Sequence, residues 1–242
     1  MPHGSPDYGE YAALETVGRL VDLGELAVRL GALSQYNREG NVVFQDNFEH
    51  TPLKWVKREF GSGGSIVYSD TKAWSGGQSV KITTGAVSGY WVFMRRDFPL
   101  LSKSKLGLEI AFLPVTTKET IIVNMYWYTG TQNYQCLTRM NLNTRLLQIN
   151  DLSEGYVDIE DDLKLYEGKH LFHPYKIVFD ANTMKYVRVI IDQTEYDLST
   201  YTLSPTTDTA YPHIDVQYGV QAEEGAAKVC YMDNFILTQN EV

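Results

Sequence analysis

Beyond residue 40 the chain is written in short β-prone segments, apolar residues alternating with polar ones, each closed by a turn signal. Residues 41–44, 65–68, 79–83, 90–95, 106–112, 120–128, 134–141 and 145–150 read as strands, and 175–180, 185–192, 195–198, 213–221 and 228–237 follow. Gly61-Ser62-Gly63-Gly64, Asn141-Leu142-Asn143-Thr144, Ala181-Asn182-Thr183-Met184 and Glu223-Glu224-Gly225-Ala226 punctuate them. About a dozen strands at this spacing, with no long helical period, predict an all-β fold of two antiparallel sheets packed as a β-sandwich.

A chain of 242 residues buries a large core without needing a disulfide or a metal to fold. It carries 21 Lys and Arg against 30 Asp and Glu, a formal charge of −9, and shows no basic face of the kind phosphate neutralisation requires, so no nucleic-acid partner is expected. The 17 Tyr, 9 Phe and 4 Trp suit half-buried strands and equally suit polar binding faces. Cys136 and Cys230 lie far apart without metal-ligand spacing and read as buried thiols, while a single bridge between them is not legible from spacing. No run approaches the ~18 apolar residues of a membrane span, so no membrane partner is expected. The start, Met1-Pro2-His3-Gly4-Ser5-Pro6-Asp7, lacks the basic and apolar regions of a signal peptide, which gives an expectation of cytoplasmic assembly.

Residues 1–40 have a different texture. Leu20, Leu23, Leu26, Ala27 and Leu30 recur at helical spacing, Asp22 and Glu25 form a capping pair, and Gly31 is a natural stop. A helix of about two turns is too short to stand alone in water. It must dock on its own body or on a neighbouring subunit, with Leu23, Leu26 and Leu30 as the contact residues. The expected organisation is therefore an N-terminal arm with a short helix over residues 1–40 and a sandwich over 41–242.

Three segments carry a family likeness. Asp46-Asn47-Phe48-Glu49 with Trp55, the stretch from Ser69 through Trp74-Ser75-Gly76-Gly77-Gln78-Ser79 to Ile82, and Tyr231-Met232-Asp233-Asn234-Phe235-Ile236-Leu237 resemble the opening strand, a strand entry and the closing strand of carbohydrate-binding modules and related jelly rolls. Residues 175–198 are similar to paired strands of concanavalin A-like domains, so the likeness spans roughly residues 41–238. It implies a jelly-roll sandwich with a structural calcium where first and last strands meet, held by Glu49, Asp233 and carbonyls near Ser75-Gly76-Gly77, with Asp46 and Asp70 as further oxygens. The alternative is that Glu49 and Asp233 only accept backbone hydrogen bonds. The leader, Pro2 to Gly9 and Asp22 to Gly31, resembles that of uncharacterised phage and prophage virion proteins. That likeness implies a virion component assembled in the host cytoplasm, as a homo-oligomer or on capsid or tail proteins.

Catalytic patterns are sparse. Retaining glycosidases need two carboxylates about 5–5.5 Å apart, which alternate strand residues provide. Asp158, Glu160 and Asp162 have that spacing, but Asp161 interrupts the alternation and the segment reads as a solvated acidic loop. Glu109 reads as an outer-face residue of its strand. His3, His50, His170, His173 and His213 offer no converging set of three or four zinc ligands and read as surface histidines. No GxSxG, phosphate-cradling loop or EF-hand occurs, and the expectation is a protein that is not an enzyme.

Binding has better candidates. Met125-Tyr126-Trp127-Tyr128 and Tyr134 form an aromatic hairpin with Asn124, Gln132 and Asn133 near its tip, and Trp91 in Gly89-Tyr90-Trp91 is a further aromatic open to the same readings. If Ile121, Val123, Met125 and Trp127 face the core, then Asn124, Tyr126 and Tyr128 face out. Trp91, Tyr126, Trp127, Tyr128 and Tyr134 are thus the candidates for a glycan platform, a subunit interface or an ordinary Tyr-rich face. The favoured expectation is a non-enzymatic virion structural protein, a capsid decoration or accessory protein using its arm between subunits. The alternative is a carbohydrate-binding module-like protein that recognises a polysaccharide through these aromatics.

Overall fold

The computed structural model describes residue 36 and residues 40–50, 53–165 and 171–242. The expected arm helix with Leu23, Leu26 and Leu30 lies outside them. Among the described residues there is no helix, and sixteen strands follow in order: β1 (Asn41–Asp46), β2 (Val56–Phe60), β3 (Ser65–Ser69), β4 (Ser79–Thr83), β5 (Trp91–Pro99), β6 (Lys105–Pro114), β7 (Glu119–Tyr128), β8 (Gln132–Asn141), β9 (Leu146–Asp151), β10 (Gly155–Glu160), β11 (His173–Asp180), β12 (Lys185–Ile191), β13 (Thr194–Asp197), β14 (Ser204–Thr207), β15 (His213–Ala222) and β16 (Val229–Gln239).

Every pairing is antiparallel, in two sheets. Sheet I runs β13-β12-β11-β6-β16-β4-β3, with β1 also on β16. Sheet II runs β10-β9-β8-β7-β15-β5-β2, with β14 also on β8. The period of two decides what lies between them. Leu106, Leu108, Ile110 and Phe112 of β6 and Tyr175, Ile177 and Phe179 of β11 belong to one buried core with Ile121, Val123, Met125 and Trp127 of β7 and Ile214, Val216, Tyr218 and Val220 of β15. Cys136 and Cys230 are both buried and unbridged.

Two devices keep this frame in register. On β16 the pairing shifts between Asp233 and Ile236, and Asn234 has φ of +50°. The bulge switches parity, so Cys230 and Met232 before it and Phe235 and Leu237 after it all belong to the core. Its two halves serve different neighbours, Val229–Met232 pairing with β4 and Phe235–Gln239 with β1. Across the sandwich, the Tyr186 hydroxyl of β12 accepts from the Leu137 amide (3.0 Å) and donates to the Asn150 carbonyl (3.0 Å). A buried hydroxyl from sheet I thereby satisfies backbone groups of sheet II beneath its outer face.

Several expectations need correction. β2, β10 and β14 were not anticipated, because they are short edge strands whose residues are mostly exposed or half-exposed. The acidic segment read as a loop is strand through Glu160, paired to β9 from Gly155↔Asp151 onward. The surface reading of the histidines fails for two of them. His173 is 1% exposed, its Nδ1 lying 2.8 Å from Asp192 Oδ2, and His213 is 4% exposed. His3 and His170 lie outside the described residues. Glu109 does stand on the outer face of β6, opposite in parity to Leu108 and Ile110, but is buried there against Lys176 Nζ (3.0 Å), which also reaches Glu241 (2.9 Å).

Candidate functional site

The alternation that sends Ile214, Val216, Tyr218 and Val220 of β15 into the core sends His213, Asp215, Gln217, Gly219 and Gln221 to the outer face of sheet II. The antiparallel register then lays side chains across that face in rows. One row runs Arg58, Phe93, Gly219, Ile122, Arg139 from β2 to β8. The next runs Val56, Arg95, Gln217, Asn124, Leu137, and the next Asp97, Asp215, Tyr126, Gln135. His213, Tyr128 and Asn133 form the row beyond.

These rows enclose a groove of about 690 Å³. Its floor is apolar, since Phe93, Ile122 and Leu137 form a buried cluster of their own, packed by Trp91 and separate from the core. Gly219 leaves the middle of the floor low, and a Cβ there would strike the Val92 carbonyl oxygen and the Phe93 ring. Around the floor stand Tyr126, Tyr128 and Tyr156 and the amides Asn124, Asn133, Gln135, Gln217 and Gln221. The amides are held by one another: Gln135 Nε2 donates to Tyr126 Oη (2.9 Å) and Asn124 Oδ1 (3.1 Å), and Asn150 Nδ2 donates to Gln135 Oε1 (2.9 Å). An apolar floor rimmed by fixed, convergent polar groups is the form of a small-molecule or glycan site.

The electrostatics concentrate at one end. Asp215 has no exposed surface, and burial pushes its carboxyl up to about 6 although Gln217 Nε2 (2.9 Å) and Arg95 Nε (2.9 Å) stand against it. Its Oδ1 has no hydrogen-bond partner among the described residues. Burial, with the charge of Asp215, pushes the Tyr126 hydroxyl up to about 12, and the same two causes raise Tyr128. His213 stacks on Tyr128 with ring centroids 4.1 Å apart, its Nδ1 2.6 Å from the Tyr211 carbonyl. Two tyrosines lining the groove are therefore raised by burial and by the neighbouring Asp215, and one of them carries a stacked imidazole.

Of the aromatics singled out in the sequence, Trp91, Tyr126 and Tyr128 line the groove. Trp127 and Tyr134 do not: Trp127 is 1% exposed in the core, edge-on to Phe179, and Tyr134 packs against the same core. Both have the parity of inward positions. Phe93, Gln217, Gln221, Arg139, Arg58, Tyr156 and Asp215 were missed. The alternating stretch 213–221 was the available signal for Asp215 and the two glutamines, whereas Arg58 and Tyr156 stand on the unanticipated edge strands.

Glu49 and Asp233 do converge, outside the groove, on the single loop between β3 and β4. Glu49 Oε1 accepts from the Gly77 and Gln78 amides (2.9 Å each), and Asp233 Oδ2 accepts from those of Trp74 (2.8 Å) and Ser75 (3.1 Å). Burial first, and the charge of Glu49 as a lesser cause, push Asp233 up to about 6. No group of three or more His, Cys, Asp or Glu side chains placed to hold a metal ion occurs among the described residues.

No family model and no curated protein matches the chain. Solved structures do. The chain is similar in fold to the endo-β-1,4-glucuronan lyase of the fungus Trichoderma reesei, with a TM-score of 0.57 at 10% identity over 82% of this chain and 96% of that one. The protein Cip1, described as cellulose induced, matches with a TM-score of 0.51 at 18% identity over 82% and 98% of the two chains. A carbohydrate esterase of the Shiga toxin-encoding bacteriophage phi24B matches with a TM-score of 0.50 at 15% identity over 84% and 100%. What is shared is the fold, a concanavalin A-like or jelly-roll sandwich. The expectation of a protein that is not an enzyme is corrected by this finding: a lyase and an esterase have the same fold, so missing hydrolase and metalloenzyme motifs do not separate the chain from catalysis.

The site has a stability cost that can be measured. Asp215 titrates at about 6 rather than 3.8, so the folded state holds its proton more tightly than the unfolded state does. Its contribution to stability is highest below about pH 4, falls as pH rises through about 6, and stays low above that. Asp215→Asn removes the buried charge while Arg95 keeps Asp97 at 3.0 Å. The expected result is a gain of about 2–3 kcal/mol in urea unfolding at pH ~8 that disappears near pH ~4; an equal or lower stability at the higher pH contradicts this account.

Proposed function

We propose that this protein is carbohydrate-active and that the outer face of sheet II binds a glycan chain. The observation that carries the proposal is the groove itself, in which Trp91, Phe93, Tyr126, Tyr128 and Tyr156 offer ring faces and edges beside fixed amide donors and acceptors. Sugar rings present apolar C–H faces to aromatic rings and hydroxyls to amides, so both kinds of group are needed side by side. The glucuronan lyase and the carbohydrate esterase that share the fold support a glycan-related role in preference to a virion structural one.

A second reading, that the groove also performs chemistry on the bound glycan, is favoured by one specific observation. Tyr126 and Tyr128 line the groove directly, with Asp215 and His213 raising or stacking on them. Gln135 Nε2 donates to Tyr126 Oη, which leaves the hydroxyl's own proton free for a bound glycan, although the raised pKa makes it a weaker acid than a free tyrosine. Proton transfer from a positioned side chain contributes roughly 10²–10⁴-fold to catalysis. Screening a polysaccharide panel by calorimetry and by product analysis tests both readings together. Trp91→Ala is expected to weaken binding by tenfold or more. Tyr126→Phe, which keeps the ring and removes the hydroxyl, is expected to preserve binding and abolish product. Binding without product in the unmodified protein overturns the catalytic reading; no binding across the panel overturns the glycan reading.

The resemblance-based calcium is proposed at Glu49 and Asp233, whose all-oxygen donors suit a hard cation. A cation there would offset the repulsion between the two carboxylates. The expected outcome is that chelator-treated protein melts several degrees higher once calcium is restored, and an unchanged Tm overturns the site.

A further inference from the structure

The charged side chains that line the groove are Arg58 and Arg139, both cationic, on a chain whose net charge is −9. They occupy the two ends of one register row, with Phe93, Gly219 and Ile122 between them. Four strand spacings separate β2 from β8, so the two backbones stand roughly 19 Å apart across the apolar floor. Neither arginine is ion-paired among the described residues. The Arg139 guanidinium lies over the Tyr156 ring at 4.9 Å, and its Nη2 makes one long contact to Gln221 Oε1 (3.5 Å). Its Nε is buried without a hydrogen-bond partner among the described residues. A guanidinium stacked in place with unused donors is prepared to receive a planar or tetrahedral oxyanion.

The positive charge does not stop at Arg58. That residue also lines an adjoining cavity of about 410 Å³ with Lys54, Val56, Arg95, Arg96 and Asp97. Asp97 is matched by Arg95, and Asp215 behind it is matched by the same side chain. Arg96 lies over the Phe44 ring at 4.1 Å and has a buried Nη1 with no partner among the described residues. Arg58 is thus shared by the groove and a second recess, in whose lining cations outnumber carboxylates.

Resting on the glycan reading above, we infer that the groove selects an anionic polysaccharide, with acid groups meeting Arg139 at one end and Arg58 and the Lys54–Arg96 recess at the other. Ionised carboxylate and sulfate ester share the required chemistry. A neutral chain would leave the buried Arg139 Nε without a partner, which is unfavourable. The overall negative charge of the protein repels polyanions elsewhere on the surface, so attraction is confined to this face.

The test compares matched pairs by calorimetry at low and high salt: oligoglucuronate against its carboxyl-reduced counterpart, and dextran sulfate against dextran. At least tenfold preference for one anionic member is expected, weakening with salt, and the preferred pair identifies the acid group. Arg139→Gln is expected to lose tenfold or more toward the anionic ligand, a clearly larger loss than toward the neutral one, and Arg139→Lys to recover part of that difference. Arg58→Gln, on an exposed edge strand, is expected to act in the same direction and serves if the Arg139 variants fail to fold. Equal affinity for both members of each pair overturns the inference while leaving the glycan reading standing. No binding to any of the four overturns both.

Discussion

The period of two along β15 is the constraint on which the rest depends. That strand lies between β7 and β5, and every second residue must fill the space between the sheets. Ile214, Val216, Tyr218 and Val220 do so, and the remaining positions are delivered together to the other face with no freedom to turn away. A one-residue slip would exchange the two sets, burying Asp215 and Gln217 in the core. The same hydrophobic pattern that folds the sandwich therefore delivers His213, Asp215, Gln217, Gly219 and Gln221 together to the outer face of sheet II, where Gln217 and Gln221 line the groove.

Much of this was legible beforehand. Thirteen expected segments correspond to strands, β4 with the same limits, because their alternation is strong and their turns carry glycine or asparagine. The parity of β7 was also readable: Ile121, Val123 and Met125 point inward, so Trp127 must follow them and Tyr126 and Tyr128 must not. Counting Trp127 among the platform aromatics contradicted that parity, and the core position of its ring is the consequence. Tyr134 failed for the same reason on β8, where Asn133, Gln135 and Arg139 hold the outward positions.

What was not legible depended on pairing between distant strands. Arg58 reaches the groove only because β2 joins the far edge of β5, and Tyr156 only because β10 joins the edge of β9. Edge strands bury little and so leave no clear hydrophobic period to read. Asp215 was an ordinary acid in an alternating segment until Arg95, Gln217 and Tyr126 closed around it. Glu49 and Asp233 differ, since they were matched by resemblance and do meet at one loop, where each accepts backbone amides. Their meeting depends on the bulge at Asn234, beside which Asp233 reaches the Trp74 and Ser75 amides.

The outer face of sheet II also departs from what stability alone would select. An apolar cluster lies outside the core, a carboxylate is buried with an unsatisfied oxygen, and two arginines stand without ion partners among the described residues. Proteins retain such local costs where a ligand is received. The four tryptophans provide the most direct measurement of this claim, because Trp91 alone among them lines the groove, while Trp55 and Trp127 belong to the core and Trp74 to a separate cluster. In a ¹⁵N-correlation spectrum recorded while an acidic oligosaccharide is titrated, the Trp91 indole N–H signal should shift to saturation with the other three unmoved. Movement of Trp55 or Trp74 with Trp91 unchanged would contradict the account.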